Sequence, residues 1–276
     1  MSKHTRCSLL VIVVAALCGI SSAAQAQSFS IDWFGGGGGG GTTQAQMLPT
    51  ETAGVIPRSN WNSLASDANG DGLIPLSLVD HTGAATSATV TWASQNTWNT
   101  AHVQGDGDLR MMKGYIDTSD TSVTNVTVAG LPAATEPWAV IVYYDGDNGT
   151  QNRVGRYALS GATTGNATFW GRDAGGAFTG LYTPAQSPID PIAGGGAIDS
   201  NPTAALTVPA GNFMLFADVT GTGFVLEAQA SVSAGTTNRA AINGIQIMPM
   251  SQVPEPGTLA IIGLVGAGLL ARRRNR

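Results

Sequence analysis

Apolar residues between positions 27 and 252 form short runs rich in valine, isoleucine and aromatic residues, and clusters of Gly, Asn, Asp, Ser and Thr separate these runs. Short runs divided by turn residues at close spacing are typical of β-sandwiches and barrels. The pattern predicts an all-β domain with strands at residues 29–34, 88–93, 109–117, 122–128, 138–144, 154–159, 168–171, 178–182, 213–220, 223–231 and 244–248.

Two parts of this pattern predict how strands are placed. The run from Trp138 to Tyr144 is apolar at every position, which predicts a central strand buried on both faces. It ends at Asp145 in Asp-Gly-Asp-Asn-Gly, a strong turn signal. The runs 213–220 and 223–231 flank Thr-Gly-Thr, which predicts a β-hairpin.

The first 26 residues have the pattern of a secretory signal peptide. Lys3 and Arg6 precede an apolar run at 9–20, and small residues follow it up to Ala24 and Ala26. This order predicts cleavage by signal peptidase after Ala26. Because both cysteines lie in this segment, the mature protein is predicted to lack disulfides, so packing alone must hold its fold.

The other end of the chain carries a signal in three parts. In order, these are Pro254, Glu255 and Pro256, then an apolar stretch at 257–271, and then a basic cluster at 272–276 made of Arg272, Arg273, Arg274 and Arg276. The prolines hold the backbone extended, as the cleft of a processing enzyme requires. As a helix the apolar stretch is about 22 Å long, against a hydrocarbon core of about 30 Å, which predicts one short transmembrane helix with its arginines in the cytoplasm.

This tail, residues 253–276, resembles the PEP-CTERM tail of Gram-negative bacterial proteins. The resemblance implies that a membrane enzyme, exosortase, recognises the tail and removes it during export. The protein would then be held transiently in the inner membrane before it reaches the cell surface or the extracellular matrix. The alternative is a plain tail anchor that stays on a periplasmic protein.

The region between the two terminal signals is acidic. Their removal takes six basic residues and one acidic residue from the 13 and 18 of the whole chain, which leaves 7 against 17, a net charge of about −10. A protein without a basic footprint is a poor partner for nucleic acid and for anionic lipid. The composition therefore excludes nucleic-acid binding as a function class.

The ectodomain, residues 27–250, also resembles a β-sandwich module of secreted bacterial proteins. The resemblance rests on the segments 52–62, 112–117, 143–149 and 239–247. The closing Asn-Gly-Ile-Gln-Ile, from Asn243 to Ile247, is similar to the last strand of galactose-binding-like jelly rolls. This resemblance implies a jelly-roll-like sandwich whose first and last strands lie side by side. Modules of this class often bind carbohydrate.

Seven consecutive glycines, residues 35–41, follow the first predicted strand. A phosphate-binding loop would continue into Gly-Lys-Ser or Gly-Lys-Thr and a helix, and neither is present in the sequence after this run. The run is therefore interpreted as a flexible connector.

Residues suited to catalysis are few in the mature region. Its histidines are His81 and His102, and it has no Gly-x-Ser-x-Gly motif. Carboxylates that could serve a glycosidase are mostly in Gly-rich turns, where Asp is common for backbone reasons; they are Asp106, Asp108, Glu136, Asp145, Asp147 and Glu227. We expect a protein that is not an enzyme.

Calcium is the candidate cofactor. Asp67, Asn69 and Asp71 have the spacing of an EF-hand-type loop, followed by Gly72, although Leu78 stands where a bidentate Glu is expected. Asp145 and Asp147 form a second candidate set of oxygen ligands. The alternative is a set of Asx turns that bind no metal.

Trp98 is the candidate sugar-binding residue, because a polar loop follows Trp92 and an indole there could stack on a sugar ring. Together these observations predict a secreted, non-enzymatic surface or matrix protein with extracellular polysaccharide as its partner. The alternatives are a secreted enzyme that modifies polysaccharide and a tail-anchored periplasmic protein.

Overall fold

The computed structural model describes residues 27–35, 45–66, 72–118, 121–146, 152–173, 175–192, 202–232 and 238–254. The predicted signal peptide with Ala24 and Ala26, most of the Gly-rich connector and the tail beyond Pro254 lie outside these residues. The strands are β1 (Phe29–Gly35), β2 (Asn62–Ser66), β3 (Gly72–Val79), β4 (Ala85–Ala93), β5 (Asn96–Asn99), β6 (Gly114–Asp117), β7 (Val123–Ala129), β8 (Trp138–Tyr143), β9 (Val154–Ser160), β10 (Ala167–Asp173), β11 (Ala210–Gly211), β12 (Phe213–Val219), β13 (Gly223–Val232) and β14 (Gly244–Pro249). The helices are α1 (Asp108–Met111), α2 (Pro202–Leu206) and the 3₁₀ turn η1 (Met250–Gln252).

Two sheets form a sandwich in the described part of the chain. One has the strand order β12-β8-β14-β1-β2 and the other β11-β10-β9-β13-β7-β4-β3, and β5 pairs with β6 in a separate ribbon. Strands β1 and β14 are antiparallel neighbours, with Phe29 opposite Ile247 and Asp32 opposite Gly244. The prediction of an all-β, jelly-roll-like sandwich with adjacent first and last strands is confirmed.

Strand β8 is buried at every position and lies between β12 and β14, as its apolar sequence predicts. Successive side chains of a strand point to opposite faces. Trp138, Val140 and Val142 accordingly belong to the core between the two sheets. Ala139, Ile141 and Tyr143 belong to a second core on the outer face of the five-stranded sheet.

An outer layer covers that second face. Residues 45–61 place Met47, Ile56 and Trp61 on it, and α1 and the residue after it add Met111 and Met112. Hydrogen bonds fix the layer to the sheet beneath. The Tyr143 hydroxyl accepts the Val55 N–H at 2.8 Å. The Gln246 side chain donates to the Ile56 carbonyl at 2.9 Å.

Three sequence predictions were wrong. Residues 178–182 are not a strand, because Phe178 and Tyr182 fill the outer core from a loop. The predicted strand 109–117 begins as helix α1 and becomes extended only at Gly114. The segments 213–220 and 223–231 are strands but not a hairpin, since β12 pairs with β8 while β13 pairs with β7 and β9 in the other sheet.

Within residues 27–254, apart from the gaps given above, no helix is long and apolar enough to cross a membrane. The transmembrane helix predicted at 257–271 lies outside the described residues.

Truncation of Ile247 in β14 tests the central core. Ile247 is fully buried between the sheets, so Ile247→Ala is expected to lower the free energy of unfolding by about 2–5 kcal/mol through lost burial and the cavity left behind. Ile74 on β3 is 78% exposed, and Ile74→Ala should change it by less than about 0.5 kcal/mol. Urea unfolding of the purified mature protein measures both. Equal effects would contradict the placement of β14 in the core.

Candidate functional site

A polar cleft lies where β6, β8 and β10 end and β9 begins. Its volume of about 10 Å³ holds roughly one water-sized group. Glycine and alanine form part of the wall, and the polar lining consists of three carboxylates, two guanidinium groups and three phenols: Asp117, Asp145, Asp173, Arg153, Arg239, Tyr115, Tyr144 and Tyr157.

Asp117 and Arg239 form an ion pair in the cleft. Arg239 Nη1 donates to Asp117 Oδ2 at 2.9 Å, and the Thr118 N–H donates to Oδ1 at 2.9 Å. Burial raises the pKa of Asp117 to about 6, although the charge of Arg239 opposes the rise. The Arg239 guanidinium also lies over the ring of Trp98, 5.2 Å from its centroid, a cation–π distance.

Hydrogen bonds fix the Asp173 carboxylate and the backbone of Asp145. The Gly146 N–H donates to Asp173 Oδ2 at 2.8 Å, so the turn after β8 is tied to the end of β10. The Asp145 N–H donates to Asn243 Oδ1 at 2.6 Å. Burial, and secondly the charge of Arg239, lower the pKa of Arg153.

Two glycines allow the tyrosine rings to lie against the strands. A Cβ at Gly171 would lie 2.6 Å from the Tyr144 ring, and a Cβ at Gly155 would lie 2.6 Å from the Tyr157 ring. The Tyr144 hydroxyl donates to the Ala185 carbonyl at 2.6 Å. Burial raises the pKa of Tyr144 above its ordinary value, so the phenol stays a neutral donor at physiological pH.

The chain leaves the fold at a separate place. Strand β14 ends at Pro249, η1 follows, and Val253 and Pro254 are half-buried. Met250 and Val253 pack against the outer core. Residues 252–274 match the PEP-CTERM protein-sorting motif.

The chain therefore carries a PEP-CTERM tail, with Pro254 as its last described residue. The PEP-CTERM motif implies a secreted protein of Gram-negative bacteria that has a membrane-anchored C-terminal tail and is sorted by exosortase. No curated protein and no solved structure shows significant similarity to the chain.

The candidate sugar residue of this PEP-CTERM protein lies beside the cleft. Trp98 is half-buried on strand β5 rather than in a loop, and Arg239 covers one side of its ring while also pairing with Asp117. Sugar contact by Trp98 stays a prediction.

Of the candidate calcium ligands, the described residues include only Asp145. Asp145 lies in the cleft, whereas Asp67, Asn69, Asp71 and Asp147 lie outside the described residues, as do Glu255, Pro256 and the terminal arginines. Among the residues that are described, no three His, Cys, Asp or Glu side chains are grouped so as to hold a metal ion. Calcium binding at residues 67–71 stays a prediction.

His81 and His102 are held by hydrogen bonds. His102 Nε2 lies 2.8 Å from the Leu109 carbonyl, which can only accept, so this nitrogen carries a proton. Its Nδ1 lies 2.7 Å from the Thr100 hydroxyl. His81 Nδ1 accepts the Ser28 N–H at 3.3 Å.

The other candidate carboxylates are dispersed. Asp108 accepts hydrogen bonds from the Gly54 N–H and the Tyr182 hydroxyl. Glu136 accepts from Ser251, and Glu227 lies 4.0 Å from Arg156.

Sequence reasoning missed most of the cleft. Asp117 and Arg239 lie at the end and the start of two segments that carry the sandwich resemblance, 112–117 and 239–247, but their pairing spans 122 positions. Tyr115 and Tyr144 also lie in segments that carry the resemblance, whereas Arg153, Tyr157 and Asp173 have no distinguishing pattern in the sequence. The perturbed pKa of Asp117 follows from burial, which the sequence around it does not specify.

Removal of Arg239 should destabilise the protein in a pH-dependent way. Arg239→Gln leaves the buried Asp117 carboxylate without its ion-pair partner, at a cost of about 3 kcal/mol near pH 8. The pKa of Asp117 is already raised above its unfolded value, so this group favours the folded state most at low pH and that contribution is lost as the pH rises through about 6. The cost of Arg239→Gln should therefore shrink near pH 4.5, where Asp117 is protonated.

The matched control is Arg156→Gln. Arg156 lies 4.0 Å from Glu227, and both side chains are more than one-third exposed. This variant should lose less than about 0.5 kcal/mol at either pH. Urea unfolding at both pH values measures the four differences, and a pH-independent loss in Arg239→Gln would contradict the assigned ion pair.

Proposed function

We propose that this PEP-CTERM protein is a non-enzymatic component of the cell surface or extracellular matrix that binds exopolysaccharide at the cleft beside Trp98. The observation that supports the proposal is that an aromatic ring lies next to a group of polar side chains. Arg239 connects Trp98 to Asp117, and Arg153, Asp145 and Asp173 line the same recess.

The chemistry of this arrangement suits a sugar. A sugar ring has an apolar face that can pack on an indole and hydroxyl groups that need paired donors and acceptors. The cleft volume of about 10 Å³ admits one small group, such as a single hydroxyl. The ring itself would lie outside, against Trp98 and Arg239.

Charge narrows the class of polysaccharide. The mature chain carries a net charge of about −10 by sequence, and the cleft has one more carboxylate than guanidinium. A polyanionic glycan would be repelled over most of the surface. Neutral polysaccharides, or those with amino groups, fit this field better.

A polysaccharide-modifying enzyme is the second candidate, and one observation favours it. Burial raises the pKa of Asp117 to about 6, which is the range of a general acid. Against it, Asp117 is held by Arg239 and the Thr118 N–H, and both ring nitrogens of His102 are engaged locally. Incubation with the exopolysaccharide of the producing strain should create no new reducing ends; their release would favour the enzyme.

Substitution of Trp98 tests the binding site. The probe is exopolysaccharide purified from the producing strain, and binding is measured by co-sedimentation across a concentration series. Trp98→Ala removes the stacking surface and the support of Arg239, so the affinity should fall about tenfold or more. Arg156 is on β9 but does not line the cleft, so Arg156→Gln serves as the control and should bind like the wild type. Equal binding by all three proteins would exclude this cleft as the site.

Intact mass spectrometry tests the destination. Protein recovered from the matrix should lack the first 26 residues and the residues beyond the Pro-Glu-Pro region, and any added mass would identify an attachment. A retained tail on protein found only in the membrane fraction would favour the tail-anchored periplasmic alternative.

A further inference from the structure

The root of the sorting tail, residues 250–253, is fastened to the ectodomain by a carboxylate. Glu136 accepts two hydrogen bonds from Ser251, one from its N–H at 3.0 Å and one from its hydroxyl at 2.7 Å. The Met250 N–H donates to the carbonyl of the neighbouring Pro137 at 2.9 Å. The strand-entry segment before β8 therefore holds the first two residues of the root.

A second, distant segment holds the next residue. Arg58 Nη2 donates to Gln252 Oε1 at 2.9 Å, from the outer layer that covers the five-stranded sheet. The Val253 N–H returns to the Met250 carbonyl at 3.0 Å, which closes the turn. We call Glu136, Pro137 and Arg58 the root clamp.

The clamp overlaps the motif that exosortase must bind. The PEP-CTERM match begins at Gln252, which the clamp itself holds. Only Val253 separates that residue from Pro254. From Gln252 to the start of the apolar stretch at residue 257, a fully extended chain spans at most about 18 Å. With the clamp closed, the folded ectodomain thus stands directly beside the membrane and the motif.

A processing cleft grips an extended segment on both sides of the bond that it cuts. Residues 250–252 form a 3₁₀ turn with their hydrogen bonds made to the ectodomain, so they cannot be extended at the same time. Release of residues 250–253 would let this segment span at most about 14 Å. The ectodomain could then lie farther from the enzyme by up to that distance.

We propose that the root clamp restrains sorting: exosortase processes the tail only from molecules in which Ser251 and Gln252 have left Glu136 and Arg58. Glu136 and Arg58 act by fixing the position of the tail root. The proposal rests on exosortase sorting and is independent of carbohydrate binding.

Processing rates of clamp variants test this proposal in the full chain. Pulse–chase labelling in a bacterial host that processes the wild type gives the rate, and the same host without exosortase gives the background. Glu136→Ala removes both hydrogen bonds that Glu136 accepts from Ser251 at an exposed site, and it should raise the rate about fivefold, which corresponds to about 1 kcal/mol. Glu227→Ala, a surface carboxylate on β13, should process like the wild type.

An inserted spacer distinguishes two possible roles of the root clamp, which could either restrain processing or present the motif to exosortase. The four residues Gly-Ser-Gly-Ser, inserted between Gln252 and Val253, retain the contacts of Glu136 with Ser251 and of Arg58 with Gln252. They move Val253 out of the turn and supply about the reach that clamp release would give. The insertion should raise the rate by itself, and Glu136→Ala should then add nothing. Unchanged or slower processing in Glu136→Ala, or slower processing with the spacer, would overturn the proposal, because the clamp would then be presenting the tail. Loss of glycan binding in Trp98→Ala has no bearing on either result.

Discussion

Strand β8 presents apolar side chains to both sides of its sheet, so neither side can face water. The seven-stranded sheet covers one face. The outer layer, with Met47, Ile56 and Trp61, covers the other. Ordering the long irregular segments of this outer layer costs conformational entropy. Two hydrogen bonds to their backbone offset part of that cost: the Tyr143 hydroxyl accepts the Val55 N–H, and the Gln246 side chain donates to the Ile56 carbonyl. The tail root packs on the same layer, so sheet, outer layer and tail are mechanically connected.

The cleft arises where these layers end. Strands that stop at one end of the sandwich leave backbone groups there without a partner in the sheet, and the Asn243 side chain forms hydrogen bonds with several of these groups. Its side-chain amide donates to the carbonyls of Met112 and Asp145, and its oxygen accepts the Asp145 N–H. One fully buried amide thus fixes β8, β6 and the approach to β14 together. The charged residues of the cleft depend on that framework for their positions.

Sequence patterns were sufficient for the strands that are strongly periodic or wholly apolar, such as β8 and β14. They failed where side chains are apolar without being extended: Phe178 and Tyr182 are buried from a loop, which no strand pattern can distinguish. They also failed for pairing, since the turn at Gly221 permits a hairpin but β12 and β13 find partners in different sheets. The cleft could not be predicted either, because local sequence patterns do not specify which distant segments meet. Asp117 and Arg239 meet only through topology, whereas the tail is a local signal and was recognisable at once.

The adjacency of β1 and β14 determines when the fold can be completed. Phe29, which follows the predicted signal peptide, pairs with Ile247, which shortly precedes the tail. A chain that crosses the membrane from its N-terminus therefore delivers β1 first and its partner last, and this pairing of high sequence separation must wait for almost the whole ectodomain. At that moment the tail is the part still to cross. The membrane-anchored tail then holds the newly exported protein in place while its two end strands meet.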